Sequence, residues 1–276
     1  MHLADQPPSS PGWLLDEVAN AGRENLDRAH VERYDRKMDA RALDEIELLR
    51  SAGLGASSVV VDLGTGTGQF ALTVSPTCRR VVAVDPSPVM LEHLRHKIDE
   101  AGADNVEIVA AGFLTYDHRD DPADIVYSRH ALHHLPDFWK VVALRRVRSM
   151  LRPGGVFRLW DVVYSFDVDE AHQRIEAWCA PFGEEVEGDW ARWELEKHVR
   201  DEHSTFTWLL EAMFERTGFA IESADYADDG FDARYLLRAT SHSSGISPSA
   251  ASRGTSSARS AIATERVVRH RGARSR

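Results

Sequence analysis

The sequence predicts an α/β fold: one doubly wound sheet of seven strands, mostly parallel, with helices on both faces and an antiparallel strand pair at its C-terminal end. Three observations predict it. Short apolar runs alternate with helical patterns through the middle of the chain, one run breaks into glycines before a helix, and the last folded stretch reads as two neighbouring strands. With 276 residues and 43% hydrophobic composition, the chain can bury such a core with segments to spare.

Residues 1–12 are rich in proline and serine, and the first 22 residues are expected to be disordered. Over 23–53, Leu43, Ile46 and Leu49 recur at helical spacing and predict N-terminal helices leaning on the main domain as a lid. The core is placed at 54–161, with strands at Ser58–Leu63, Val81–Asp85, Val106–Ala110, Ile125–Ser128 and Val156–Asp161. Each is followed by a helical pattern, as βαβ units require. Ser87 before Pro88 reads as a helix start, since proline in the first turn gives up an N–H that has no partner there, and Met90, Leu94 and Ile98 then share one face. A second helix runs from Asp137, after Pro136, to Leu151 and is stopped by Pro153-Gly154-Gly155.

The pattern changes at 162–204, an acidic stretch carrying Trp178, Trp190 and Trp193 that reads as an insertion capping the substrate side. Its tryptophans either pack as core or wall an apolar pocket. The run Glu202-His203-Ser204-Thr205 reads as a cap for the helix that follows to Thr217, and Ala220–Tyr226 with Ala233–Ala239 completes the sheet, so 205–240 returns to the core. Residues 241–276 hold ten serines and seven arginines against one glutamate, a basic tail expected to be disordered.

Charge narrows the partners. Formal net charge is −11, and the tail is +6, so residues 1–240 carry −17. A body so acidic repels a phosphate backbone, which disfavours a nucleic-acid substrate. No apolar run approaches the roughly 20 residues of a membrane span, the first residues lack a basic-then-apolar signal pattern, and Cys78 and Cys179 form no ligand or redox spacing. The expectation is a cytoplasmic protein with free thiols.

The chemistry is concentrated in Val59–Phe70. A buried strand ends in Asp62 and Leu63 and breaks into Gly64, Gly66 and Gly68, the residue type needed where a turn takes positive φ or a ligand presses on the backbone. The next strand ends in Asp85, 21 residues after Gly64, where a carboxylate can accept from both hydroxyls of a ribose. An ordinary surface-turn aspartate is the plainer alternative. The loop is G-x-G-x-G with Gln69 where a dinucleotide fingerprint has its third glycine, and no P-loop is present, which disfavours pyrophosphate and triphosphate ligands.

Together these segments resemble the class I methyltransferases that use S-adenosylmethionine (SAM), in the small-molecule branch that includes ubiquinone and menaquinone biosynthetic enzymes; the resemblance covers residues 57–161 and implies a Rossmann-like sheet. Asp62-Leu-Gly-Thr-Gly-Thr-Gly68 is similar to the family's first motif, implying Asp62, Gly64, Thr65, Gly66 and Gly68 around the amino-acid end of SAM. Asp85-Pro86 through Met90 is similar to the second, with Asp85 on the ribose and Pro86 and Met90 beside the adenine. Gly112 and Phe113 sit where the family packs the other adenine face, although many relatives carry an aspartate where Phe113 stands. Ser128 and Arg129 open the segment that lines the boundary between cofactor and substrate, and Leu151–Gly155 is similar to the turn entering the fifth strand. Tyr34 resembles a lid tyrosine, with simple packing as its alternative.

The resemblance implies methyl transfer to a small-molecule acceptor by in-line displacement. Two residues are candidates for a base. His134, at the cofactor mouth, titrates in the right range but often packs in this fold; Asp161 ends the fifth strand, where ligand-facing residues sit, but equally caps a helix. His130, His133 and His134 invite a metal reading, yet no nearby cysteine or well-spaced carboxylate completes a ligand set, and no metal is expected. The alternatives are a SAM-binding protein without turnover, an aminopropyl transferase or a nicotinamide oxidoreductase.

Overall fold

The computed structural model describes residues 11–22, 24–28, 31, 41–119, 121–183 and 191–241. Tyr34, Trp190 and the tail beyond Ser241 lie outside the described residues, as do residues 1–10.

Alternation along the strands decides how the sheet is covered. The strands are β1 (Val59–Leu63), β2 (Arg80–Asp85), β3 (Val106–Ala110), β4 (Ala123–Arg129), β5 (Leu151–Asp161), a short pair β6 (Val163–Tyr164) and β7 (Thr205–Phe206), then β8 (Phe219–Tyr226) and β9 (Ala233–Ala239). The helices are α1 (Glu17–Asn20), α2 (Ala42–Ser51), α3 (Gln69–Val74), α4 (Pro88–Ala101), α5 (Asp137–Met150), α6 (Ala171–Cys179), α7 (Arg192–Asp201) and α8 (Thr207–Thr217). Val60, Val81, Ala83, Ile125 and Tyr127 face one side and pack with Leu49 of α2, Phe70 of α3 and Leu94 of α4. Their neighbours Val61, Val82, Val84 and Val126 face the other side and meet Leu144 and Val147 of α5 and Phe214 of α8. Both faces of β1 are therefore buried, which is why it reads as an unbroken apolar run until Asp62. Each fully buried aliphatic side chain in these layers contributes roughly 1.5–3 kcal/mol of transfer free energy.

The seven-stranded sheet has the order β3-β2-β1-β4-β5-β9-β8. The first five strands pair in parallel, and β9 pairs antiparallel with both β5 and β8. From β1 the chain winds outward to β2 and β3, then returns to start again at β4. The order thus reverses between β1 and β4, and their C-terminal ends open a crevice of the kind in which open α/β sheets place ligands.

Local signals are obeyed with two departures. Ser87 caps α4 by accepting from the Met90 backbone N–H at 3.2 Å, and Gly102 closes the helix at φ +62°. The first departure is at the N-terminus: within the stretch read as disordered, α1 forms and is capped by Asp16, and Glu17 is buried. The second is that Glu202–Thr205 does not cap α8, whose N-terminal boundary is Phe206 with no side-chain cap; Thr205 instead pairs with Val163 in the two-stranded sheet. The insertion contributes α6 and α7, and Trp178 stacks on Phe231 with ring centroids 4.3 Å apart. Among the described residues, no helix is long and apolar enough to cross a membrane.

Candidate active site

The two loops at the switch point touch. Gly64, Gly66 and Gly68 all take positive φ, +72°, +53° and +78°. A Cβ on Gly64 would stand 2.3 Å from the Ala131 Cβ, so the β1 and β4 loops can approach only because residue 64 has no side chain. Backbone N–H groups of Gly64 and Thr65 donate to the Val84 carbonyl at 2.8 and 3.0 Å, fastening the loop to the end of β2. Gly64→Ala should therefore cost about 1–3 kcal/mol in backbone strain alone, with a further loss as the loops part. Thermal denaturation checks this.

Asp85 stands at the tip of β2 with its carboxylate divided between two turns. Oδ2 accepts from Gly66 N–H at 2.9 Å and Oδ1 from Ser87 N–H at 2.8 Å. Each oxygen keeps a second acceptor position. Burial pushes its pKa up to about 6, against the two backbone hydrogen bonds, which favour the ionised form. Asp62 lies beneath the loop and takes a 2.6 Å hydrogen bond from Thr65 Oγ1; burial above all, with the nearby Asp85, pushes it up to about 7. It braces the turn from below.

A cleft opens above these groups. Of the residues expected from sequence, Gly64, Gly66, Asp85, Pro86, Met90, Gly112, Phe113, Arg129 and His134 line it. Asp62, Thr65, Gly68, Ser128 and Asp161 are not among its lining residues. Gly68 packs against Leu94, which a Cβ would meet at 2.2 Å, and Ser128 is fully buried under the loop. Arg129 is held in the wall by its guanidinium, 4.2 Å above the Trp160 ring, whose environment also includes Arg234 at 3.7 Å.

Sequence reasoning missed the opposite wall. Glu17, Asn20 and Asn25 come from the N-terminal segment and line the same cleft. Glu17 accepts from Leu114 N–H at 3.0 Å and Thr115 Oγ1 at 2.8 Å, and its carboxylate occupies the space a Cβ on Gly112 would need. Burial raises its pKa despite these bonds. Nothing local in the sequence announces this pairing, because the partners are 97 and 98 residues apart.

The histidines separate into different environments. His134 lines the cleft and also a second one, lined in addition by Lys197, Asp201, Glu202 and His203 of the insertion and by Asn20. Burial, reinforced by the charge on His133, pushes its pKa down to about 3, so its imidazole is neutral. His133 is buried beside Asp161, which accepts from its backbone N–H at 3.0 Å and from its Nδ1. Burial opposes charge on His133, but Asp161 and Glu202 outweigh it and push its pKa up to about 10. Asp161 also accepts from Val162 N–H at 2.8 Å, and is held below the usual carboxylate range because the His133 cation outweighs its burial. The strand-end aspartate thus faces an imidazole rather than the cleft.

Residues 60–155 match the family described as methyltransferase domain. With the switch-point cleft, the glycine loop and the 3-2-1-4-5 parallel order, that decides the assignment. Residues 60–155 are a class I methyltransferase domain. The methyltransferase of Geobacillus kaustophilus, itself uncharacterised, is 27% identical over 201 residues, 73% of this chain and 86% of the relative. Among solved structures, the N-methyltransferase NodS of Bradyrhizobium japonicum, in complex with S-adenosylhomocysteine, superposes with a TM-score of 0.55 at 17% identity, covering 82% of this chain and 99% of NodS. A SAM-dependent methyltransferase of Aquifex aeolicus gives 0.53 at 17%, covering 78% and 99%. At such identities these structures establish the shared fold. The ubiquinone and menaquinone branch does not follow from these matches.

Proposed function

We propose that this chain binds SAM in the switch-point cleft and transfers its methyl group to a small-molecule acceptor entering from the side of the insertion. The observation that carries the reading is Asp85: a buried carboxylate at the strand tip, tied to the glycine loop, with an acceptor position left on each oxygen. Two vicinal hydroxyls of a ribose fit those positions. Pro86 and Met90 on one side, with Gly112 and Phe113 on the other, form the slot for the adenine, and Gly64 and Gly66 leave room for the amino-acid end, whose carboxylate Arg129 can pair. The donor read from sequence fits the residues present.

Bound SAM supplies a methyl already activated on a sulfonium, so the protein's tasks are alignment and exclusion of water. His134 belongs to both clefts and marks where donor and acceptor meet. A neutral imidazole held so low accepts a hydrogen bond from an incoming hydroxyl or amine and aims its lone pair; it stores a proton poorly. The 162–204 insertion serves as the acceptor-side cap, anchored by Trp178 on Phe231. NodS acts on an acceptor nitrogen by its name, and an amine is one acceptor class for this cleft.

Incubation with SAM and a metabolite extract should release S-adenosylhomocysteine, read by mass spectrometry, together with a product heavier by one methyl group. Tight SAM binding with no S-adenosylhomocysteine formed from any pool would instead favour binding without turnover.

A further inference from the structure

Three side chains from two distant segments of the sequence converge at the edge of the second cleft. His133 follows β4, His198 lies on α7 and Glu202 just beyond it, and one ligating atom from each lies within 4.8 Å of the others. Glu202 Oε2 stands 3.0 Å from His133 Nε2 and 2.5 Å from His198 Nδ1. Yet this oxygen, buried from solvent, accepts no well-formed hydrogen bond. Two nitrogens and an oxygen crowd one point, and a bound cation would take the place of the proton that His133 holds toward Glu202 in the metal-free protein.

The far side of each imidazole is also committed. His133 Nδ1 faces Asp161, a carboxylate that can only accept and so fixes the N–H on that nitrogen. His198 Nε2 lies 2.9 Å from Ser204 Oγ. An imidazole whose outer nitrogen is held by an oxygen, and whose inner nitrogen points at a shared centre, is the arrangement by which proteins orient metal-binding histidines. We propose that His133, His198 and Glu202 bind one divalent transition-metal cation of the zinc class, with Asp161 and Ser204 orienting the imidazoles.

Charge supports the assignment, since Glu202 as ligand and Asp161 behind it balance a dication. The donor set of two nitrogens and one oxygen suits zinc or cobalt over magnesium or calcium, which prefer all-oxygen cages. Three protein ligands leave a coordination position open, as in sites that take a water or substrate atom. Glu202 lines the cleft assigned above to the acceptor, which sets the three ligands beside it. The inference rests on the acceptor-side reading of that cleft and specifies it: the acceptor would present an oxygen or nitrogen able to ligate a metal. The expectation of no metal rested on the histidines near 130 alone; the missing ligands come from the insertion.

Tag-free, full-length protein is stripped with a chelator and titrated with Co²⁺ near neutral pH, with SAM affinity measured on the same samples by calorimetry. One equivalent of cobalt should bind with a visible ligand-field band. In His198→Ala and in the isosteric Glu202→Gln, affinity should fall at least ~10-fold, as loss of metal-site partners does, with SAM affinity retained. No band in the wild-type protein overturns the proposal whatever the variants do, and a band kept by both variants overturns it by placing cobalt elsewhere. Wild-type protein that binds SAM but not cobalt refutes the metal alone. Wild-type protein that binds cobalt but not SAM refutes the donor reading instead.

Discussion

Asp85→Ala should weaken SAM binding by roughly 10- to 100-fold, the loss expected when hydrogen bonds of about 1.5–3 kcal/mol to a charged acceptor are removed. Calorimetric titration reads this directly, and an unchanged affinity refutes the ribose role. The substitution also frees the Gly66 and Ser87 N–H groups, so part of the loss comes from a loosened loop. Asp85→Asn separates the two effects, because it keeps an acceptor oxygen and removes the charge. A pH series gives an independent readout. The pKa of Asp85 is pushed up to about 6 by burial, and only the ionised form offers acceptors to both hydroxyls. Affinity should therefore be flat above that value and fall as pH drops through it, by about tenfold per unit at most. The same raised pKa means that apo-protein stability attributable to this group is greatest in acid and declines as pH rises from the ordinary carboxylate range through about 6, opposite in sign to the binding.

The largest stability loss should come from Arg158→Ala, at a position that does not line the cleft. Arg158 of β5 gives Glu45 of α2 two hydrogen bonds, 2.6 Å from Nε and 2.8 Å from Nη2, and the side chains are 4% and 5% exposed. Removing the arginine strands a buried carboxylate, which costs about 3–5 kcal/mol. Denaturant unfolding should show that drop. Exchanging both partners for well-packed apolar residues, Glu45→Leu with Arg158→Met, should restore most of it, because the desolvation cost of the pair then vanishes with the pair. A double variant as unstable as the single would mean that the attraction between the two charges exceeds the cost of burying them.

The fold was legible because its signals are local. Val59–Leu63 and the glycines after it, Ser87-Pro88, and the strand pair ending in Ala239 each state their conformation within a few residues. The parallel order follows, since right-handed crossovers leave few ways to wind such units. The half of the cleft built on β1 and β2 was legible for the same reason, as a turn and a strand tip. The other half depends on pairings across the chain. Glu17 reads as one acid in a proline-rich leader until Leu114 and Thr115 meet it, and Glu202 reads as a capping residue until His133 does. His133 and His134 are adjacent in sequence, yet one is pushed up to about 10 and the other down to about 3, a difference set by Asp161 and Glu202. No spacing rule carries that information.

The hydrogen bonds of Glu17 have a kinetic meaning. They tie α1, only four residues long, to the loop after β3 across the mouth of the cleft. On the proposed reading, a donor seated between Asp85 and Gly112 lies against a short segment held at one carboxylate, so its exchange depends on that tether. On the same reading, that segment bears on how fast the donor exchanges, while the glycine loop and Asp85 bear on how tightly it is held. The same protein can accordingly be tuned for exchange rate without rebuilding the part that recognises the donor.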